Sequence, residues 1–127
     1  MSMIGRRKFL RVLNQRNKKY NSQKTFFNGR TYDSRQEAQD AMWLQSLLKH
    51  GKIRALEEQK RIGLHVNGMR ICEHVVDFMV TLNDNRTKAV ETKGVPTRIW
   101  QIKKRLFMAL FPGIPYLVNP SERELLR

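Results

Sequence analysis

Residues 71–82, ICEHVVDFMVTL, decide the fold, because their apolar side chains alternate as they do along a β-strand. The more apolar face holds the even-numbered residues Val76, Phe78, Val80 and Leu82. Asp77 therefore points to the opposite face of the strand. A turn at residues 83–85, NDN, leads into residues 88–93, KAVETK, which predict a second strand that runs back beside the first.

The register of this hairpin decides whether three polar side chains meet. If Leu82 pairs with Arg86, then Asp77 lies directly opposite Glu91. Lys93 then lies two residues further along the same face. A slip of one residue would separate the two carboxylates onto opposite faces, so the expected register is open to a direct test.

Two carboxylates beside an ammonium group suit the cleavage of a phosphodiester bond with a divalent cation. Asp77, Glu91 and the backbone carbonyl of Thr92 offer the hard oxygen ligands that Mg²⁺ prefers. A bound Mg²⁺ would offset charge on the phosphate and lower the pKa of a water molecule, which Lys93 could orient. Two adjacent acids repel each other, so the pair predicts either a metal or a raised carboxyl pKa. The alternative is a solvated sheet face with a cross-strand ion pair.

The spacing of these residues is a weak signal by itself, because the chain contains a second match. Asp40 with Glu58-Gln59-Lys60 has the same pattern of an acid followed at a distance by acid-x-Lys. We reject this copy, since Asp40 falls in a helical pattern and residues 57–61 form a polar run.

Glu37 allows two interpretations. The pattern Ser34-x-x-Glu37 is a capping box, in which the glutamate bonds back to the start of its own helix. Alternatively, a carboxylate on the first helix could approach the acids on the strands and bind metal directly or through water. Glu37 is therefore a third acidic candidate.

The chain is strongly basic, with a formal charge of +14 and a pI near 10.6, so a polyanion is the expected partner. The first 32 residues contain nine basic residues and no acid. We expect residues 1–24 to form a basic arm that binds the phosphates of DNA. The expected DNA contacts are Arg6, Arg7, Lys8, Arg11, Lys18, Lys19, Lys103 and Lys104. A membrane-surface helix is the alternative for the arm, but its apolar content is low.

Several classes of protein are not expected. A single cysteine, Cys72, excludes an internal disulfide and a multi-cysteine zinc site, and it favours a reducing compartment. No stretch has the roughly 18 apolar residues of a membrane helix. Residues 1–7 lack the apolar region of a signal peptide. We therefore expect a cytoplasmic protein that does not bind membranes.

The remaining patterns predict one domain over residues 25–119, followed by a charged tail at residues 120–127. An Asn-Gly hairpin at residues 25–32 precedes a helix from Ser34 to about Lys49. Strands at residues 53–66, 71–82 and 88–93 form a meander. A helix at about residues 97–111 and a short strand at residues 114–118 follow. The fold class is therefore mixed α/β, in the order helix, three strands, helix, strand.

For four side chains outside the acidic pair the sequence favours structural roles. Trp100 and Phe107 are expected in the core rather than as platforms for bases. His65 and His74 have no spacing typical of a metal or nucleophile motif, so surface or half-buried positions are expected. The basic run that contains Lys103 and Lys104 fits either a solvated helix face or a phosphate contact.

The joint order of these elements resembles the PD-(D/E)XK nuclease superfamily, and most closely a small phage-encoded branch of it. The resemblance covers residues 19–119. It rests on the helix that carries Glu37, the lead-in residues 56–59, the strand VVDF at 75–78, the segment VETKG at 90–94 and the basic helix with KKRLF at 103–107. Val76 stands where many members have a proline, a position that varies widely.

The resemblance implies a restriction-endonuclease-like core, a four-stranded mixed sheet flanked by helices. It implies that Asp77 and Glu91 bind the metal and that Lys93 is the catalytic lysine. Glu37 would be the acid that some branches carry on the first helix, and Gln59 an accessory polar residue. Mn²⁺ would substitute for Mg²⁺. Several relatives are dimers, so residues 4–13 could pack on a second copy.

The sequence thus predicts a Mg²⁺-dependent DNA endonuclease. Cleavage of branched or junction DNA in phage replication or recombination, with phage or host proteins as partners in a bacterial cytoplasm, is the expected role. One alternative is the cleavage subunit of a transposition or packaging complex. The other is a non-catalytic, basic nucleic-acid-binding protein whose acids are structural.

Overall fold

The computed structural model describes residues 24–127, which form a mixed α/β structure. By their contacts these residues divide into two units, one that ends at Lys52 and one that runs from Ile53 to Arg127. None of the helices in this described range has the length and apolar character needed to cross a membrane.

The first unit contains a hairpin and a helix. Strands β1 (Thr25–Phe27) and β2 (Arg30–Tyr32) pair antiparallel across Asn28 and Gly29, whose φ angles are +52° and +77°. Positive φ at both turn residues matches the twist of the strands, and this is why Asn-Gly forms the turn. Helix α1 (Arg35–Lys49) follows. The hairpin and helix predicted from the sequence are confirmed.

The second unit contains a four-stranded mixed sheet. Its strands are β3 (Ala55–Val66), β4 (Met69–Thr81), β5 (Thr87–Glu91) and β6 (Tyr116–Val118), in spatial order β3-β4-β5-β6. The pairs β3/β4 and β4/β5 are antiparallel, and β5/β6 is parallel. The predicted meander and mixed sheet are therefore confirmed.

The register between β4 and β5 is the one expected from the sequence. Phe78 pairs with Val90, and the backbone N–H of Leu82 donates to the carbonyl of Arg86 at 2.8 Å. Continuing this register by one residue places Asp77 opposite Glu91. The turn between the strands contains Asn85 at φ +72°, a conformation that asparagine tolerates better than most residues.

The apolar face predicted for β4 is buried. Val76, Phe78, Val80 and Leu82 are each at most 4% exposed. Helix α2 (Arg98–Leu110) begins after the N-cap Thr97, whose side chain accepts from the N–H of Trp100. It contributes the fully buried Phe107 to a core cluster with Leu64, Val76, Ala89 and Tyr116. The expectation that Phe107 lies in the core is confirmed.

Residues 120–127, which the sequence predicts as a charged tail, contain a short helix. Helix α3 (Glu122–Leu126) starts with a capping box between Ser121 and Glu124, and Leu125 is fully buried. The ammonium of Lys88 donates to the carbonyl of Glu124 at 3.2 Å. A capping box and one buried leucine therefore hold a very short helix against β5.

Candidate active site

Asp77 and Glu91 lie side by side where β4 and β5 begin to separate. The backbone N–H of Asp77 donates to Oε1 of Glu91 at 3.4 Å. The N–H of Thr92 donates to Oδ2 of Asp77 at 3.0 Å. Each carboxylate is therefore oriented by the backbone of the other strand, which makes their separation a property of the sheet register.

The two carboxyl groups have different environments. Glu91 is only 4% exposed, whereas Asp77 is half-buried. Burial raises the pKa of Glu91, and contacts with Asp77 and Tyr116 and the positive charge of Lys93 oppose that rise. A cation bound beside these two acids would favour the ionised form of both carboxyl groups.

Lys93 follows Glu91 by two residues, and contacts hold both its backbone and its ammonium. The side chain of Asn119 accepts from the N–H of Lys93 at 3.1 Å and donates to its carbonyl at 2.7 Å. The N–H of Asn119 donates to the carbonyl of Glu91 at 2.8 Å. The ammonium lies 5.0 Å from the centre of the Trp100 ring, a cation–π distance.

Asn119 is a residue of the candidate site that the sequence did not indicate. Asn119 follows β6 and has a φ of +49°. Its side chain forms hydrogen bonds with both the N–H and the carbonyl of Lys93. An asparagine between a strand and Pro120 was the available signal, because asparagine tolerates the left-handed region. The sequence does not reveal which segment its side chain contacts.

Gln59 lies beside Asp77, where the resemblance suggested an accessory residue. The pairs Glu58–Phe78 and Lys60–Val76 place Gln59 opposite Asp77, and its amide donates to Oδ1 of Asp77 at 3.4 Å. Gln59 has a φ of +53° in the middle of β3. The left-handed conformation interrupts the extended strand at the level of the two acids.

A buried polar chain reaches Glu91 from the other side. The hydroxyl of Tyr116 donates to Oε1 of Glu91 at 2.9 Å, and Nε2 of His74 lies 2.7 Å from that hydroxyl. His74 is 2% exposed, so the expectation of a surface or half-buried position is wrong. The reason is that His74 lies on the buried face of β4 and finds a polar partner there. His65, by contrast, is exposed.

Glu37 belongs to the first unit and takes part in capping α1. Its N–H donates to Oγ of Ser34 at 3.1 Å, and its carboxylate accepts from the N–H of Asp33 at 3.3 Å. The carboxylate thus bonds one residue before the cap, a variation on the predicted capping box. Asp40 lies in the same helix, as expected for the rejected copy of the motif. Within residues 24–127 no group of three or more His, Cys, Asp or Glu side chains is arranged to hold a metal ion.

The basic residues of α2 lie close to the site. Lys104 places its ammonium 5.5 Å from the Trp100 ring centre and 5.6 Å from that of Tyr116. Burial lowers the pKa of His74, and the positive charges of Lys103 and Lys93 lower it further. Lys103 and Lys104 are both half-buried rather than on a fully solvated face. The six expected DNA contacts in the basic arm lie outside the described residues.

Comparison with protein families gives a match to a family model over residues 17–118. The chain belongs to the DUF1064 family. The family is described as a protein of unknown function. No curated protein and no solved structure matches the chain. The matched range contains Gln59, Asp77, Glu91 and Lys93 and ends one residue before Asn119.

Proposed function

We propose that this DUF1064 chain is a Mg²⁺-dependent endonuclease that hydrolyses phosphodiester bonds in DNA, a member of the PD-(D/E)XK superfamily. The supporting observation is the β4/β5 register, which brings Asp77 and Glu91 together at the point where Lys93 leaves the sheet. A solvated ion-pair face would not need a glutamate that is 4% exposed beside a second acid.

The residues at the site fit a hard divalent cation. Asp77 and Glu91 would hold Mg²⁺ with the backbone carbonyl of Thr92, since all three offer oxygen ligands. The burial that raises the pKa of Glu91 makes its ionised form costly, and a cation would offset that cost. When bound, Mg²⁺ supplies charge neutralisation at the phosphate and a lower pKa for coordinated water. Mn²⁺ accepts the same oxygen ligands and would substitute for it.

The other side chains would position the reactants. Lys93 would orient the attacking water and stabilise negative charge on the phosphate, because it follows Glu91 by two residues and carries a compact ammonium donor. Asn119 fixes the backbone from which Lys93 extends. Gln59 would limit rotation of the Asp77 carboxylate through its contact with Oδ1.

DNA is the substrate that the charge distribution favours. Residues 92–121 contain five basic residues and no acid, and the arm adds eight more in residues 1–24. Phosphate contacts give affinity without reading sequence, so recognition of branched DNA by its shape is the proposed mode. The proposed setting is phage replication or recombination.

The test is Asp77→Asn, assayed on junction, flap, nicked and linear DNA with Mg²⁺ or Mn²⁺. Loss of a carboxylate that binds the metal should reduce cleavage by more than about 100-fold, since changing a group that only contacts a metal ligand typically costs about 10–100-fold. DNA binding should be kept, because one acid is removed from a basic surface. Asp84→Asn is the matched control, as this carboxylate lies in the β4/β5 turn and bonds Arg86.

Two results would contradict the proposal. One is equal cleavage by the wild type and Asp77→Asn. The other is a wild type that leaves all four DNA forms intact while binding them with a steep salt dependence, which would favour a non-catalytic nucleic-acid-binding protein. Cleavage that needs an added phage or host protein would favour a subunit of a transposition or packaging complex.

A further inference from the structure

We propose that Tyr116 is a positioning residue for Glu91 and that His74 sets the direction of its hydroxyl. This inference rests on the proposed metal-dependent activity, because it concerns how Glu91 is presented to a cation. It assigns a role to two buried side chains, 42 residues apart in sequence, that the nuclease resemblance did not supply.

The direction of the hydrogen bonds follows from counting protons. The Tyr116 hydroxyl has one proton, and an ionised Glu91 has none to offer, so the hydroxyl donates to Oε1 at 2.9 Å. The Tyr116 oxygen must then accept from Nε2–H of His74 at 2.7 Å. His74 therefore carries its proton on Nε2. Without that donor the hydroxyl could rotate away from Glu91.

The consequence is that the two oxygens of Glu91 have different roles. Oε1 accepts from the N–H of Asp77 and from the Tyr116 hydroxyl. Two donors on one oxygen fix the plane of the carboxylate. Oε2 would then be the oxygen that holds a cation together with Asp77. Hydrogen bonds to a metal ligand of this kind typically change metal affinity by about 10–100-fold.

The aromatic packing around Tyr116 involves its ring, so the role of its hydroxyl can be tested separately. The ring meets Phe107 edge-on at 5.4 Å between centroids and Trp100 at 6.4 Å. A phenylalanine at position 116 would keep these contacts and lose only the hydroxyl. The variant Tyr116→Phe thus removes the hydrogen bond to Glu91 without removing a core side chain.

The experiment is a calorimetric titration of the full chain with MnCl₂ alone, without DNA. We expect Tyr116→Phe to bind Mn²⁺ about 10-fold or more weakly than the wild type. Tyr32→Phe, which removes the hydroxyl of a buried tyrosine in the first unit, should leave Mn²⁺ affinity unchanged. Circular dichroism melting of both variants checks that the comparison is made between folded proteins.

A second pair of variants tests His74 and stands in if Tyr116→Phe does not fold. His74→Gln keeps an N–H donor and should retain much of the Mn²⁺ affinity. His74→Leu removes the donor and should lower the affinity about as far as Tyr116→Phe does. This rescue by a donor would not be expected if His74 only filled space.

The outcomes separate this inference from the proposed function. If the wild type binds Mn²⁺ and Asp77→Asn does not, while Tyr116→Phe and His74→Leu match the wild type, the positioning role is wrong and the metal site stands. If the wild type itself does not bind Mn²⁺, the proposed metal site fails and the inference fails with it. Weaker binding by Tyr116→Phe and His74→Leu, with rescue by His74→Gln, supports the inference.

Discussion

Gln59 shows at the scale of one residue how the candidate site departs from ideal strand geometry. Its φ of +53° lies in the left-handed region, which costs a residue with a Cβ atom about 1–2 kcal/mol. The strained residue lies opposite Asp77 and contacts its carboxylate. Strain of this kind persists where the surrounding structure fixes it, and it is often found at functional sites.

Replacement of Gln59 by glycine and by alanine separates the backbone strain from the side-chain contact. Both variants lose the amide that contacts Asp77, but only glycine adopts a positive φ without steric cost. We expect Gln59→Gly to be more stable than Gln59→Ala by about 1 kcal/mol, measured as the free energy of unfolding in urea.

The matched control for this comparison is Glu58, the preceding residue of β3. Its φ is not in the left-handed region, so Glu58→Gly should be less stable than Glu58→Ala by about 0.5–1 kcal/mol. The order of glycine and alanine should therefore reverse between the two neighbouring positions. The same order at both positions would contradict a strained backbone at Gln59.

At the scale of secondary-structure elements, local sequence patterns were sufficient to predict the structure where neighbouring residues fix it, as in a turn that sets a strand register. The asparagine-rich turn at residues 83–85 and the alternation along β4 together predict that Asp77 faces Glu91. The Asn-Gly turn between β1 and β2 and the capping serine of α1 were predicted for the same reason. Each depends on residues close together in the chain.

The features that the sequence did not reveal depend on contacts between residues that are far apart in the chain or on packing. His74 meets Tyr116 across 42 positions, and Asn119 holds Lys93 across 26. Hydrophobic periodicity carries no information about such pairs. Helix α3 has five residues, too few for a helical period to be recognised, and its order depends on packing.

Leu125 is the residue on which α3 should depend. Leu125 is fully buried, whereas its neighbour Leu126 is half-buried. We expect Leu125→Ala to reduce the free energy of unfolding by about 2–5 kcal/mol, as large-to-small changes in a core do. Leu126→Ala should cost clearly less. Equal losses for the two variants, measured by urea unfolding, would show that α3 does not pack through one face.

At the scale of the whole molecule, the acids and bases are distributed unevenly along the chain. Residues 1–32 hold nine basic residues without an acid, while the remaining 95 residues hold 16 basic and 11 acidic residues. The two site carboxylates thus belong to the part of the chain whose charge is more nearly balanced. The excess positive charge is concentrated in residues 1–32, which include the proposed DNA-binding arm.

Deletion of residues 1–18 tests whether this excess charge supplies affinity for DNA. The deletion removes six basic residues, each of which can release counterions on meeting a phosphate. We expect weaker binding at low salt and a plot of log affinity against log salt whose slope is smaller by up to about 5. Cleavage measured at saturating DNA should persist, because Asp77, Glu91 and Lys93 are retained. Replacing the six basic residues with glutamine at constant length is the control for chain length. Unchanged affinity at low salt in both variants would exclude the arm as a DNA contact and leave the basic residues of α2 as the source of binding.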